Sequence, residues 1–116
     1  MSELARIEAL ALDDARLVVR VSGEIDLSNA RDVMDAIGGA VPSEASLVIV
    51  DLSETLYLDS AGIAMIFRLA QRLSYLRQEL RLVVPKHAAI RAVLELTSVP
   101  QVIPVQDALI ESPDSN

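Results

Sequence analysis

The stretch LVIVDLSETLYLDSAGIAMI, residues 47–66, decides the fold. Its first four residues are an unbroken apolar, mostly β-branched run, which indicates a buried strand. Its last residues open an apolar pattern with helical spacing, which predicts a helix over residues 60–79. The predicted core-facing stripe consists of Ile63, Ile66, Ala70, Leu73 and either Leu76 or Arg77. A strand, a loop and a helix in this order are typical of the repeating unit of a parallel sheet.

Strand-like and helix-like segments alternate on both sides of this stretch. Two strands, Ile7–Leu12 and Leu17–Ser22, are predicted to form a hairpin, and a helix follows over residues 28–39, capped by Ser28 or Asn29. Downstream we expect a strand at 80–85, a helix at 87–97, a weak edge strand at 102–105 and a last helical turn at 106–110.

This element order predicts the fold class, the domain organisation and the place of a site. The class is α/β: a small mixed β-sheet, made of an opening hairpin and then parallel β-α units, with helices packed on it. We expect one domain over residues 1–111 and a polar, disordered tail at 112–116. In such sheets, sites lie beyond the carboxyl ends of the strands. Two loops leave those ends, GEIDLSN at 23–29 and SETLYLDSAG at 53–62.

Composition argues against several classes of function. The 116 residues contain no cysteine, which rules out disulfides and thiolate chemistry. The net charge is −7, with 12 acids and 4 bases in residues 1–59, and this balance argues against nucleic-acid binding. Neither a signal peptide nor an apolar run of about 20 residues is apparent, so we expect a soluble, cytoplasmic protein without membrane contact. The sequence shows no metal-ligand spacing and no phosphate-gripping loop, so we expect no metal, no cofactor and no enzymatic activity.

Ser60 lies where the long helix begins, and two interpretations compete. Either Asp59 or Ser60 caps the helix, which contributes about 1 kcal/mol, or the Ser60 hydroxyl is a phosphoacceptor. A helix N-terminus stabilises a phosphate through free N–H groups and the helix dipole. Ala61 and Gly62 carry almost no side chain, so another protein's active site can approach the hydroxyl.

Three further residues near these loops invite a functional interpretation. Glu24 and Asp26 form an acidic pair, but with no catalytic histidine beside it a polar turn is the favoured interpretation. Met65 is expected on the rim of the long helix beside Ala61 and Ala64. It either offers an adaptable contact to a protein or fills a gap under a loop, and the spacing leaves both open.

Together, VSGEIDLSNA at 21–30, the stretch at 47–66 and the order of elements resemble the STAS domain. More narrowly, they resemble the small single-domain anti-sigma factor antagonists of bacteria. The resemblance implies that Ser60 is phosphorylated by an anti-sigma factor that is itself a serine kinase. The unphosphorylated form binds this kinase and releases a sigma factor, the phosphorylated form dissociates, and a metal-dependent serine phosphatase resets the switch. It also implies that Asp26 lies in the partner-facing patch and that Asp59 and Gly62 flank the acceptor.

Our hypothesis is therefore a non-enzymatic partner switch in the regulation of transcription, with Ser60 as its phosphoacceptor. Relatives often carry a second hydroxyl after the acceptor, and Ala61 here leaves Ser60 as the single candidate. The expected partner-binding residues are Glu24, Asp26, Ser28, Asp59, Ala61, Gly62 and Met65. Two alternatives stay open: a constitutive scaffold or accessory subunit of a stress-sensing or transport complex, and a nucleotide-binding module. The oligomeric state is open too, with a weak homodimer as one alternative to a monomer.

Overall fold

A computed structural model of the chain describes residues 4–109. In chain order, the elements are β1 (Ala5–Ala11), β2 (Arg16–Ile25), α1 (Ala30–Ala40), β3 (Leu47–Asp51), β4 (Thr55–Leu58), α2 (Ser60–Tyr75), β5 (Glu79–Val83), α3 (Arg91–Glu95), α4 (Val99–Val102) and β6 (Val105–Gln106).

The six strands form one mixed sheet. Five of them lie side by side in the order β1-β2-β3-β5-β6, and β4 pairs with β2 outside this row. β1 pairs antiparallel with β2 as the opening hairpin, and β3, β5 and β6 then add in parallel. β4 pairs in parallel with the last part of β2, beyond the part that pairs with β3. The predicted fold class, a small mixed sheet with an opening hairpin, parallel β-α units and packed helices, is confirmed.

One face of the sheet carries the core because apolar residues alternate along the strands. In β2, Leu17, Val19 and Val21 point to this face, while Arg20 points to the opposite one and is exposed. The helices cover the core with buried side chains that include Ile37 of α1, Leu69 of α2, Leu94 of α3 and Val99 of α4. A smaller buried cluster of Val18, Ile49 and Val83 lies apart from this core.

Several predicted boundaries are wrong. The loop at 53–62 contains a short strand, β4, which pairs with an extension of β2 past the predicted end at Ser22. The helix predicted at 87–97 is reduced to α3, and α4 follows with Pro100 in its first turn. The edge strand begins at Val105 rather than at 102, and residues 107–109 are not helical. Residue 110 of the predicted last turn and the tail at 112–116 lie outside the described residues.

Candidate functional site

The two loops that carry the predicted site lie side by side because the strands before them are paired. In the parallel ladder of β2 and β4, Ile25 is the register partner of Leu58, so both strands end at the same level. The Asp59 N–H donates to the Ile25 carbonyl over 3.3 Å, which extends the contact by one residue. Asp26 directly follows β2 and Asp59 directly follows β4, so these two residues begin neighbouring loops.

The loop between β2 and α1 is held by its own side chains. The Asp26 carboxylate accepts hydrogen bonds from the Ser28 N–H, over 2.9 Å, and from the Ser28 hydroxyl, over 2.6 Å. Asn29 accepts from the Asp26 N–H and donates to the Glu24 carbonyl, each over 2.9 Å. Asn29 precedes α1, but it makes no side-chain capping bond, so the predicted cap by Ser28 or Asn29 is wrong. The Ser28 hydroxyl bond is the main reason that the pKa of Asp26 lies below its ordinary value.

Asp59 joins the two loops and caps α2. Its Oδ1 accepts from the Gly62 N–H over 3.0 Å, which is an N-cap bond. Its Oδ2 accepts from the Leu27 N–H in the neighbouring loop over 3.2 Å. Of the two predicted capping residues, the cap is therefore Asp59.

With Asp59 as the cap, Ser60 is the first residue of α2, and it is exposed. Its hydroxyl makes no hydrogen bond with any residue in the range 4–109. The first N–H groups of a helix have no intrahelical acceptor. Here the Asp59 carboxylate accepts from the Gly62 N–H, and the Asp59 carbonyl accepts from the Ile63 N–H. A group attached to the Ser60 oxygen would meet solvent and the positive end of a 16-residue helix.

The structure divides the predicted partner-binding residues into accessible and buried ones. Glu24 and Ser28 are exposed, and Asp26, Asp59 and Ala61 are partly exposed around Ser60. Gly62 and Met65 are buried, so the expected rim position of Met65 is wrong, while partner binding by these two residues stays a prediction.

The close fit of α2 against the sheet explains why Gly62 and Met65 are buried. The buried line of α2 consists of Gly62, Met65, Ile66, Leu69 and Leu73. A Cβ on Gly62 would collide with the side chain of Leu58 and crowd Ile25, so this glycine lets the helix approach β2 and β4. Met65 is 5% exposed, whereas Ile63 and Ala70, predicted to face the core, are only partly buried. The predicted end of the stripe is wrong, because α2 ends at Tyr75 and both Leu76 and Arg77 are exposed.

Leu27 is a residue of this surface that sequence reasoning missed. Its side chain is 82% exposed in the loop held by Asp26 and Asp59, and Tyr57, the register partner of Glu24, is half exposed. The available signal was an apolar side chain in DLSN, the polar segment between the end of β2 at Ile25 and the start of α1. Exposed apolar side chains such as these are suited to contact with another protein.

A groove, here called the α1–α2 groove, runs beside this surface. It has a volume of about 290 Å³, and Leu27, Arg31 and Arg68 lie along its edges. Its other lining residues are Ala30, Met34, Ala61, Ala64 and Met65. Met65 therefore contributes to the surface from below, as part of a groove, rather than from the rim.

No group of three or more histidine, aspartate or glutamate residues within 4–109 is placed to hold a metal ion. Over the same range, every helix is too short or too polar to cross a bilayer.

Comparison with known proteins assigns the family. Residues 6–111 match the family model of the STAS domain. The chain belongs to the STAS domain family. The resemblance inferred from the two motifs and the element order is therefore confirmed. No curated protein matches the sequence.

Solved structures with the same fold include anti-sigma factor antagonists. One from Mycobacterium paratuberculosis is 27% identical, with a TM-score of 0.78 over 90% of this STAS chain and 87% of that one. SpoIIAA is 17% identical in its unphosphorylated form, with a TM-score of 0.71 over 91% and 90% of the chains. The phosphorylated form from Bacillus is also 17% identical, with a TM-score of 0.65 over 91% and 94%.

The fold also occurs inside a larger protein. The murine anion transporter Slc26a9 is 16% identical, with a TM-score of 0.71 over 92% of this chain but only 21% of the transporter. At this level of identity, the likeness to Slc26a9 and to SpoIIAA shows the fold alone.

Proposed function

We propose that this STAS domain protein is an anti-sigma factor antagonist controlled by phosphorylation of Ser60. The observation that carries the proposal is the exposed Ser60 hydroxyl at the first residue of α2, which makes no hydrogen bond with residues 4–109, while Asp59 caps the helix. The similarity to the anti-sigma factor antagonist from Mycobacterium paratuberculosis supports the class of function.

In the proposed switch, the unphosphorylated protein binds an anti-sigma factor that is also a serine kinase, and a sigma factor is released. Transfer of phosphate to Ser60 ends this binding, and a metal-dependent serine phosphatase restores it. The protein acts in the cytoplasm and catalyses no reaction itself. The accessible and partly accessible residues around Ser60 form the contact that the phosphate interrupts: Glu24, Asp26, Leu27, Ser28, Asp59 and Ala61.

The physical effect of phosphate at Ser60 is local. It adds a charge of about −1.5 to −2 and three acceptor oxygens. Asp59 is adjacent in the chain, and Asp26 begins the neighbouring loop, so the new charge joins two carboxylates at the edge of the contact surface. A partner that fits this surface in its unmodified state then meets a larger and more negative group. Ser60 takes no part in the core, so the switch requires no change of fold.

Intact-mass analysis of the protein purified from its own cells tests phosphorylation directly. We expect a fraction with one added phosphoryl group, about 80 Da, mapped to Ser60 by fragmentation. Ser60→Ala should abolish this fraction, while Ser74→Ala, on an exposed serine near the other end of α2, should leave it unchanged. A phosphate mapped to another residue, or none under any growth or stress condition, contradicts the proposal.

Binding is tested by recovering tagged variants from the same cells. Ser60→Ala should retain the anti-sigma factor, and Ser60→Asp should lose it, while Ser74→Asp provides the same charge change at a distance of about 21 Å along the helix. Equal recovery by all variants would instead favour a constitutive accessory subunit. The occurrence of the fold within Slc26a9 leaves this second function open, because one fold serves several functions.

A further inference from the structure

The α1–α2 groove differs in charge from the rest of the molecule. Its eight lining residues include two arginines, Arg31 and Arg68, and no acid. The chain as a whole has 17 acids and 10 bases, so a surface without carboxylates is unusual for it. Apolar side chains line the remainder of the groove, which leaves an apolar floor between two positive side chains.

The arginines of this surface are also free of intramolecular ion pairs. Within residues 4–109, Arg31, Arg68 and Arg72 have no carboxylate oxygen within 4.0 Å, as is also the case for Arg6 and Arg77. By contrast, Arg16, Arg20 and Arg81 each pair with one carboxylate, and Arg91 pairs with two. The side chains of Arg31, Arg68 and Arg72 are all exposed. Their charges are therefore available to a carboxylate from another molecule.

The surface continues along α2 beyond the groove. A second, more open depression of about 600 Å³ shares Arg68 and is also lined by Arg72, Tyr75 and Leu76, again without an acid. Tyr75 is 88% exposed. The 16 residues of α2 span about 24 Å, so the surface from Leu27 to Tyr75 is long enough to contact a partner helix of about 16 residues.

We propose that the α1–α2 groove binds an acidic, amphipathic helix of a protein partner. Apolar side chains of that helix fill the floor formed by Met34, Met65 and the alanines, whose size and flexibility suit an adaptable contact. Carboxylates on its flanks pair with Arg31, Arg68 and Arg72. The inference rests on the proposed function in that the groove begins at Ala61, beside Ser60. With this groove, the protein offers a partner a positively charged surface in addition to the acidic surface formed by Glu24 and Asp26.

Peptide titration monitored by NMR tests the groove without a known partner. The probes are three synthetic peptides of about 16 residues: leucines at helical spacing flanked by glutamates, the same peptide with lysines for glutamates, and the same with serines for leucines. The first peptide should shift the methyl signals of Met34, Ala61, Ala64 and Met65. Each of the other two should bind at least about tenfold more weakly. Equal binding of the glutamate and lysine peptides, or shifts located elsewhere on the protein, overturns the proposal.

Matched charge variants complete the test. Arg31→Gln/Arg68→Gln should weaken binding of the first peptide by about tenfold or more. Arg6→Gln/Lys86→Gln removes the same charge from exposed residues outside the groove and should have little effect. Equal effects of the two double variants overturn the groove assignment. The titration uses unphosphorylated protein and no kinase, so its failure leaves the mass analysis of Ser60 unaffected, and a missing phosphate leaves the titration unaffected.

Discussion

Ser28 orders the loop before α1 by donating two hydrogen bonds to Asp26. The hydroxyl bond is the main cause that lowers the pKa of Asp26 from 3.8. Ser28→Ala removes it, so we expect the pKa of Asp26 to rise towards 3.8 in a carboxyl-detected NMR titration. Asp13 is an internal control because its pKa is lowered chiefly by the Ala15 N–H, far from this loop.

The sign of the associated stability effect follows from the direction of the shift. Because the pKa of Asp26 is lower in the folded protein, the ionised carboxylate contributes stability above the unfolded-state pKa. That contribution is lost as the pH falls through the folded-state pKa. Ser28→Ala should therefore lower the free energy of unfolding at neutral pH, and the difference from the parent protein should diminish in acid. A difference that grows in acid, or an unchanged pKa of Asp26, would contradict this account.

At Ser60, sequence reasoning stopped at a question of geometry. Aspartate and serine both cap helices well, so DSAG is compatible with either residue as the cap. The choice depends on the hydrogen bond from Leu27 in another loop, which holds the Asp59 carboxylate in position. That contact joins residues 32 positions apart, and no local pattern reveals it.

At the scale of elements, the packing of α2 on β2 and β4 depends on Gly62. In an open helix, alanine is favoured over glycine by about 1 kcal/mol. Gly62→Ala should nevertheless lower the free energy of unfolding by about 1–3 kcal/mol, because the new methyl group overlaps Leu58. Urea denaturation measures the change.

Gly39→Ala is the matched control, because a Cβ at Gly39 in α1 meets no atom within 4 Å. This variant should be neutral or stabilised by up to about 1 kcal/mol. If both variants were stabilised alike, Gly62 would have no packing role and the position of α2 would need another explanation.

The elements predicted correctly from the sequence are those with strong local patterns. The hairpin, the strand before the motif and the long helix were all expected, because alternation and helical spacing report burial on one side. β4 was missed because it is only four residues long and pairs with β2 after an irregularity at Gly23. Gly23 has a φ of 100°, which allows β2 to continue after the irregularity and reach Ile25. The sequence shows the glycine but not the second strand segment that depends on it.

The placement of Met65 shows the limit of periodicity within a correctly predicted helix. An apolar stripe through Ile63, Ile66 and Ala70 and one through Gly62, Met65, Ile66 and Leu69 both fit the sequence. The second is adopted because a glycine can pass close to β4, where a larger residue cannot. The two stripes differ by a small rotation of α2 about its own axis. This rotation moves Met65 from the expected rim to the groove floor.

At the scale of the whole molecule, charge is separated between two neighbouring surfaces. Glu24, Asp26 and Asp59 lie in the loops at Ser60, whereas the α1–α2 groove is lined by Arg31 and Arg68, which have no carboxylate partner among residues 4–109. Phosphate on Ser60 increases the negative charge of the first surface and therefore the contrast between the two. The first surface lies on the loops before α1 and α2, and the groove lies between these two helices. Ser60 takes no part in the core, so the change in charge need not be accompanied by movement.

This arrangement predicts that an acidic residue at position 60 weakens partner binding but leaves the stability of the fold almost unchanged. In Ser60→Asp, an acid at the start of α2 is favoured by the helix dipole, by about 0.3–1 kcal/mol, and repelled by Asp59. The free energy of unfolding in urea should therefore change by less than about 1 kcal/mol, with NMR shifts confined to the two adjoining loops and the first turn of α2. Binding of the anti-sigma factor should weaken by about tenfold or more. Ser74→Asp should preserve both properties. A loss of stability above about 2 kcal/mol in Ser60→Asp would show that partner release reflects partial unfolding and not local repulsion.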